Sequence, residues 1–129
     1  MVRALRIVYA ALAWLFLAAL VLQVFFAGLM LFGEPEGRAL HEGTGWMLHT
    51  AVILLPVTAA LARAGARAIW LTLALTVVTL VQPILTFVRE TPAIAALHPV
   101  NAILMTVLSL IVAQGALRLA RTERIPAAS

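Results

Sequence analysis

Long apolar stretches, separated by short polar ones, divide this chain into four segments. The stretches without a charged residue are 7–33, 43–62, 68–88 and 91–117. Each has at least the roughly 20 residues that an α-helix needs to cross about 30 Å of hydrocarbon. The pattern predicts four transmembrane helices, near residues 5–32, 40–62, 68–89 and 93–119.

The few polar residues inside these segments repeat along the chain. Gln23 precedes His41 by eighteen positions, and Gln82 precedes His98 by sixteen. Both histidines follow an Ala-Leu pair, at the start of predicted helices two and four. The repeat predicts two helical hairpins in tandem that run in the same direction, related by an axis along the membrane normal. We therefore expect an all-α fold, an up-down four-helix bundle that forms one integral membrane domain over residues 1–129.

Composition supports a membrane protein and narrows the possible chemistry. The 129 residues are 64% hydrophobic, against about 45–50% in a soluble domain, and the mean hydropathy is +1.10. The predicted main partner is the lipid bilayer, and a nucleic-acid role is not supported, because topology explains the net charge of +4. The absence of cysteine excludes disulfides, thiolate metal sites and cysteine nucleophiles.

The arginines predict the orientation of the bundle. Two of them, Arg38 and Arg89, lie in the loops that follow helices one and three. The other seven lie at the two termini and in the middle loop: Arg3, Arg6, Arg63, Arg67, Arg118, Arg121 and Arg124. Positive residues accumulate in cytoplasmic loops. This asymmetry predicts that both termini are cytoplasmic, and the alanine- and arginine-rich composition indicates a bacterial inner membrane.

The distance of each histidine from the nearest cytoplasmic arginine predicts its depth. His41 precedes Arg63 by twenty-two positions, and His98 precedes Arg118 by twenty. At about 1.5 Å per residue these separations are about 33 and about 30 Å. Both histidines are therefore expected at one level near the outer face. His49 is expected deeper, because it precedes Arg63 by only fourteen positions, or about 21 Å.

Two imidazoles at one level on different helices suit a planar cofactor between them. We predict bis-histidine ligation of haem b by His41 and His98, in a bundle core that shields the macrocycle. Gly45 and Ala102, one turn after each histidine, are expected to leave room for the porphyrin.

Other polar residues have predicted supporting roles at this site. Arg38 and Arg89 lie outward of the histidines and are candidates to pair with the anionic haem propionates. A ligating imidazole usually donates its second N–H to an acceptor. Gln23, Gln82 and Glu42 are the candidates for that acceptor. The glutamines are equally well interpreted as hydrogen-bonding links between helices.

Other interpretations of the histidines remain open at this stage. A polar ring within a membrane helix indicates function by default, and His49 is a rival haem ligand or a contact for a propionate or a quinone. It can also simply bond Thr50, Thr86 or a main-chain carbonyl. An axial pair of His49 and Met105 is a further alternative. A zinc site from His41, His98 and Glu42 is chemically allowed.

The pattern resembles the four-helix half-repeat of haem A synthase, a family of cytochrome-oxidase assembly proteins. The residues that carry the resemblance are Gln23 with nearby Gly28, then His41, Gln82 and the Ala96-Leu97-His98 sequence. The resemblance covers most of one four-helix unit, of which the synthase has two. It implies a haem-binding four-helix bundle. The chain is also similar to small bacterial four-helix membrane proteins that have no assigned function.

These observations lead to three hypotheses of function. The first is a b-type cytochrome that transfers electrons near the outer face or senses or carries haem. The second is a small membrane scaffold or assembly subunit without a cofactor. The third is a redox protein that interacts with quinone through His49. Whether the protein is an enzyme, which redox partner it has and whether it forms a homo-oligomer are left open by the sequence.

Overall fold

The structure is a computed structural model, and it describes residues 1–88 and 90–122. These residues form six helices in four membrane-length spans. Span 1 is α1 (Val2–Leu31), span 2 is α2 (Gly37–Ala51) with α3 (Leu54–Leu61), span 3 is α4 (Ala66–Phe87), and span 4 is α5 (Pro92–Ala95) with α6 (Leu97–Arg121). Each span is long and apolar enough to cross a membrane. The all-helical fold and the four spans are thereby confirmed.

The spans pack as an up-down bundle. In the described part of the chain, span 1 packs against spans 2 and 4, and span 3 packs against the same two neighbours. Spans 1 and 3 are therefore diagonal to each other, and so are spans 2 and 4. This arrangement agrees with the predicted pair of hairpins, because the equivalent spans of the two hairpins face each other across the bundle.

Small residues let the helices approach closely along the axis. The buried alanines of the core are Ala10, Ala13, Ala59, Ala62, Ala113 and Ala116, around larger side chains such as Tyr9, Phe16 and Leu75. Close packing of small residues is the usual way that helices associate in lipid, where burial of apolar surface gives little advantage. Many large apolar side chains, among them Trp46, Trp70 and Val77, face outward. The chain is a multi-pass membrane protein whose outer surface is suited to contact with lipid.

Proline breaks one span and leaves another continuous. Pro56 has no N–H to donate to the Val52 carbonyl, and span 2 opens there into a two-residue turn between α2 and α3. The Val52 carbonyl instead accepts from the Leu55 N–H at 3.1 Å, and the Thr76 hydroxyl of span 3 lies 3.4 Å from the same oxygen. By contrast, α4 continues through Pro83. A local turn bond and a nearby hydroxyl of this kind satisfy the carbonyl that proline frees, and they make proline tolerable within a membrane.

Candidate functional site

His41 and His98 meet at the end of the bundle opposite the two termini. His41 lies on α2 and His98 in the first turn of α6, so the two rings come from diagonal spans. Their centroids are 6.3 Å apart, and the ring planes are inclined by 60°. Both side chains are half-buried. The two histidines expected at one level are therefore neighbours in space.

Each histidine ring is fixed by the glutamine of the preceding span. The Nδ1 atom of His41 lies 3.1 Å from the main-chain carbonyl oxygen of Gln23, and Nδ1 of His98 lies 3.1 Å from that of Gln82. A carbonyl oxygen only accepts, so Nδ1 must carry the proton and donate in both cases. The neutral imidazole then has its lone pair on Nε2. Both rings are thereby held in the tautomer that leaves Nε2 free to accept a proton or bind a metal.

The acceptors of the ring N–H groups were predicted on the correct residues, Gln23 and Gln82, but as side-chain atoms and not as main-chain atoms. The sequence pointed to the side chains of Gln23, Gln82 or Glu42, whereas the structure uses the main-chain carbonyls of the two glutamines. Glu42 instead bonds Arg38. The glutamine side chains are engaged elsewhere, as links between helices.

The Gln82 side chain ties span 3 to span 4. Its amide nitrogen donates to the main-chain carbonyl of His98 at 3.0 Å, and its amide oxygen accepts from Asn101 Nδ2 at 2.6 Å. Asn101 also donates to the Val78 carbonyl at 2.8 Å. Gln82 and His98 thus form two hydrogen bonds with each other, each from the side chain of one residue to the main-chain carbonyl of the other. The connection holds the His98 ring and its helix end together.

The Gln23 side chain ties span 1 to span 2 in a simpler way. Its amide nitrogen donates to the Thr44 hydroxyl, which in turn donates to the main-chain carbonyl of Leu40. Thr44 and Asn101 each lie three residues after a site histidine. Neither residue was predicted from the sequence to support a site histidine. The equal spacing after His41 and His98 was the signal that could have identified both.

His49 lies eight residues, about 12 Å of helical rise, deeper than His41 on span 2. Its Nδ1 atom donates to the Gly45 carbonyl at 2.6 Å, which agrees with the main-chain bond considered from the sequence. The indole of Trp46 lies against the ring, with centroids 5.6 Å apart. The Nε2 atom is buried, and no described residue forms a hydrogen bond with it.

Two arginines, Arg38 and Arg89, were predicted to pair with the haem propionates, and the structure describes the first of them. Arg38 lies at the start of α2 and forms an exposed ion pair with Glu42, one turn further on, at 3.3 Å. Exposed pairs of this kind contribute little stability, so Arg38 can change partners at small cost. Arg89 lies outside the described residues.

The remaining predicted site residues are the small residues Gly45 and Ala102 and the alternative ligand Met105. Gly45 faces the Gln23 amide, because a Cβ on Gly45 would lie 3.7 Å from Gln23 Nε2. Ala102 is half-buried on α6. The Met105 sulfur lies 3.7 Å from Asn101 Nδ2. The His49–Met105 axial pair stays a prediction.

The described residues do not assemble a zinc site. Within residues 1–88 and 90–122, no group of three or more histidine or acidic side chains is placed to hold a metal ion. The described residues do not form the alternative with Glu42 as third ligand, since Glu42 pairs with Arg38 on the helix surface. What the bundle end does provide is two imidazoles without a third protein ligand of these types.

Fold and site together define a class of multi-pass four-helix membrane protein with a pair of histidines across the bundle diagonal. Residues 23–89 match the family of unknown function DUF6220, and this is 67 of the 129 residues. The chain belongs to that family. The matched segment begins at Gln23 and includes His41, whereas His98 lies beyond it. No curated protein and no solved structure matches the chain.

Proposed function

We propose that the protein is a b-type haem protein in which His41 and His98 are the two axial ligands. The observation that carries the proposal is the 6.3 Å separation of the two ring centroids across the bundle diagonal. A metal–nitrogen bond is about 2.0 Å, and a ring centre lies roughly 1.1 Å beyond its nitrogen, so two imidazoles on opposite sides of one metal have centroids about 6.2 Å apart.

The donor set fits haem in two further respects. A porphyrin supplies four nitrogen ligands itself, so two axial imidazoles complete six-coordinate iron without a third protein group. The main-chain carbonyls of Gln23 and Gln82 take the Nδ1–H protons and leave both Nε2 lone pairs available. Such bonds orient a ligating imidazole and raise its basicity.

Bound haem would supply one-electron chemistry near one face of the membrane, and the chain's own groups would set its position. His41 and His98 would hold the iron, and the two glutamines would fix the rings. Arg38, free to leave Glu42, and Arg89 are the proposed partners of the propionates. The functions that follow are electron transfer, haem sensing or haem carriage.

Visible spectroscopy on the detergent-purified protein from haem-replete cells tests the proposal. The protein should be red, and its reduced-minus-oxidised spectrum should show the sharp bands of low-spin haem, because strong axial ligands fill both positions. A colourless protein that does not take up added hemin would refute the proposal.

The proposed location is the bacterial inner membrane with both termini in the cytoplasm, which puts the histidine pair near the outer face. The support is the arginine asymmetry together with the up-down arrangement of the four spans. C-terminal fusions to a cytoplasm-active reporter should be active, and fusions to a periplasmic phosphatase should not. The opposite result would move the histidines to the cytoplasmic face.

A small scaffold without a cofactor is the second candidate. The observation that favours it is that the polar side chains Gln23, Gln82 and Asn101 all form hydrogen bonds between spans. Such bonds hold membrane helices together without any ligand. The hemin-uptake measurement separates the two candidates, because a scaffold would remain colourless and would be equally stable with and without hemin.

A further inference from the structure

His49 carries an acceptor that the histidine pair does not use. Its Nδ1–H is committed to the Gly45 carbonyl, so the lone pair is on Nε2. That atom is buried without a hydrogen-bond partner among the described residues. An unsatisfied buried polar group is costly, and each one in a folded protein requires an explanation.

Among the described residues, no side chain donates a hydrogen bond to this atom. The rest of the stretch 43–62 carries no charged side chain. Span 3 packs against α2, but its hydroxyls at Thr76 and Thr79 already donate to main-chain carbonyls. The Thr50 hydroxyl is likewise bonded to the Trp46 carbonyl. A donor to His49 is therefore expected from outside the chain.

One trapped water shared with the other unsatisfied side chain does not meet the need. An ordered buried water typically requires two to four polar partners. The other buried side-chain atom without a partner in the described part of the chain is Ser109 Oγ. Ser109 precedes Arg118 by nine positions, or about 13 Å, whereas His49 precedes Arg63 by fourteen, or about 21 Å. One water cannot serve two groups at such different depths.

The surroundings of His49 indicate the shape of the missing donor. The Trp46 indole lies beside the imidazole at a tilt of 50° and is 61% exposed on the outer surface of the bundle. An aromatic face next to an acceptor, open to the bilayer side, suits a planar ring that bears a hydroxyl. Because the indole is largely exposed, it can change its rotamer at small packing cost.

We propose that His49 and Trp46 form a binding site for the headgroup of a lipid-soluble quinol, whose hydroxyl donates a hydrogen bond to His49 Nε2. The site is separate from the histidine pair, about two helical turns deeper on span 2. A hydrophobic tail would remain in the surrounding lipid. The inference is one of binding, and it stands whether or not His41 and His98 hold haem.

Fluorescence of Trp46 tests the site directly. The variant Trp14→Phe/Trp70→Phe keeps Trp46 as the single tryptophan. In lipid nanodiscs under anaerobic conditions, this variant is titrated with a short-chain ubiquinol and, separately, with the dimethyl ether of that quinol, which has no O–H to donate. The quinol should change the Trp46 emission and bind about tenfold more tightly than the ether, the effect of one hydrogen bond.

Substitutions at His49 complete the test. In the same background, His49→Leu should weaken quinol binding about tenfold and leave ether binding unchanged, whereas His49→Gln, which keeps an acceptor, should lose less. Thr106→Val is the matched control, because Thr106 stands eight residues after His98 as His49 does after His41; it should bind as the parent does. Equal binding of quinol and ether by the parent, or unchanged quinol affinity in His49→Leu, would overturn the inference. If His49→Leu does not fold, the comparison of quinol and ether binding by the parent variant still tests the inference.

Discussion

The two hairpins hold their histidines identically and support them differently. In both, the ring Nδ1 lies 3.1 Å from the carbonyl oxygen of a glutamine on the preceding span. Beyond this contact the hairpins diverge. Gln82 is only 8% exposed and makes two side-chain bonds, one of them to the backbone of His98 itself. Gln23 is half-buried and reaches its own histidine's helix only through the Thr44 hydroxyl.

The helix ends that carry the histidines also differ. Four residues before His41 is Gly37, where α2 begins directly against the backbone of α1. Four residues before His98 is Ile94, in the short α5, after which α6 begins at Leu97. The first hairpin is thus closed by a tight backbone contact, and the second by the hydrogen bonds of the buried Gln82 side chain.

This difference shows which features the proposed site requires and which it does not. Position, tautomer and ring spacing are the same in both halves, and these are the features that a pair of axial ligands needs. The means of support differ, so each half can be weakened separately. Weakening them one at a time separates ligation from scaffolding.

The largest effect is expected from removing either ring. Both His41→Ala and His98→Ala should abolish the low-spin spectrum or convert it to a high-spin one, because each removes one of two axial ligands. Equal losses would show that the two halves are equivalent as ligands. The measurement is the reduced-minus-oxidised spectrum of the purified variants.

His49→Ala is the control for that experiment and should retain the six-coordinate spectrum. The centroid separation of 6.3 Å pairs His98 with His41, and His49 lies about two turns deeper by helical rise. If His49→Ala lost haem while His41→Ala kept the wild-type spectrum, His49 would be the axial ligand instead.

The relative depths of His41 and His98 could be predicted from the sequence because an α-helix has a regular geometry. Arginines mark the end of each span, and a helix rises by a fixed amount per residue, so the relative depths of His41 and His98 follow from counting. The spans themselves follow from the uncharged stretches. The bounds differ by a few residues; α1, for example, begins at Val2 and not near residue 5.

The partners of the rings could not be predicted in the same way. Every residue has a main-chain carbonyl, so no pattern distinguishes those of Gln23 and Gln82 as acceptors. The effect of proline was also ambiguous. Pro56 opens span 2 while α4 continues through Pro83, and that outcome depends on packing between spans.

The next largest effect is expected from a substitution of Gly37, where α2 begins directly against the backbone of α1. A Cβ on Gly37 would lie 2.5 Å from the main-chain nitrogen of Met30 and 2.8 Å from the carbonyl carbon of Leu29. Backbone atoms cannot move aside cheaply, so Gly37→Ala should lower the free energy of unfolding by about 1–3 kcal/mol. Denaturation by SDS in mixed micelles measures it.

Gly43→Ala is the matched control on the same helix. A Cβ there meets nothing within 4 Å, and alanine is favoured over glycine within a helix by about 1 kcal/mol. This variant should be as stable as the wild type or more so. Equal destabilisation of both variants would mean that the close contact at Gly37 does not exist.

Removing the glutamine side chains should affect the two hairpins unequally. Gln82→Leu leaves the Asn101 amide without one acceptor and the His98 carbonyl without one donor, and should cost about 1–2 kcal/mol in unfolding free energy. Gln23→Leu removes one bond to a half-buried hydroxyl and should cost about 0.6 kcal/mol, the average for such bonds in membranes. Equal costs would refute the difference in support.

The smallest effect is the coupling between each glutamine and its partner three residues after the histidine. Double-mutant cycles isolate that energy: Gln82→Leu with Asn101→Leu in the second hairpin, and Gln23→Leu with Thr44→Val in the first. The Gln82–Asn101 bond, whose glutamine is buried, should give about 1 kcal/mol, and the Gln23–Thr44 bond about 0.5 kcal/mol. The reason is that Gln23 and Thr44 are both half-buried, so lipid headgroups and water can replace the lost bond. A larger coupling in the first hairpin than in the second would show that the simpler chain through Thr44 is the stronger support, and that His41, not His98, is the more firmly held ring.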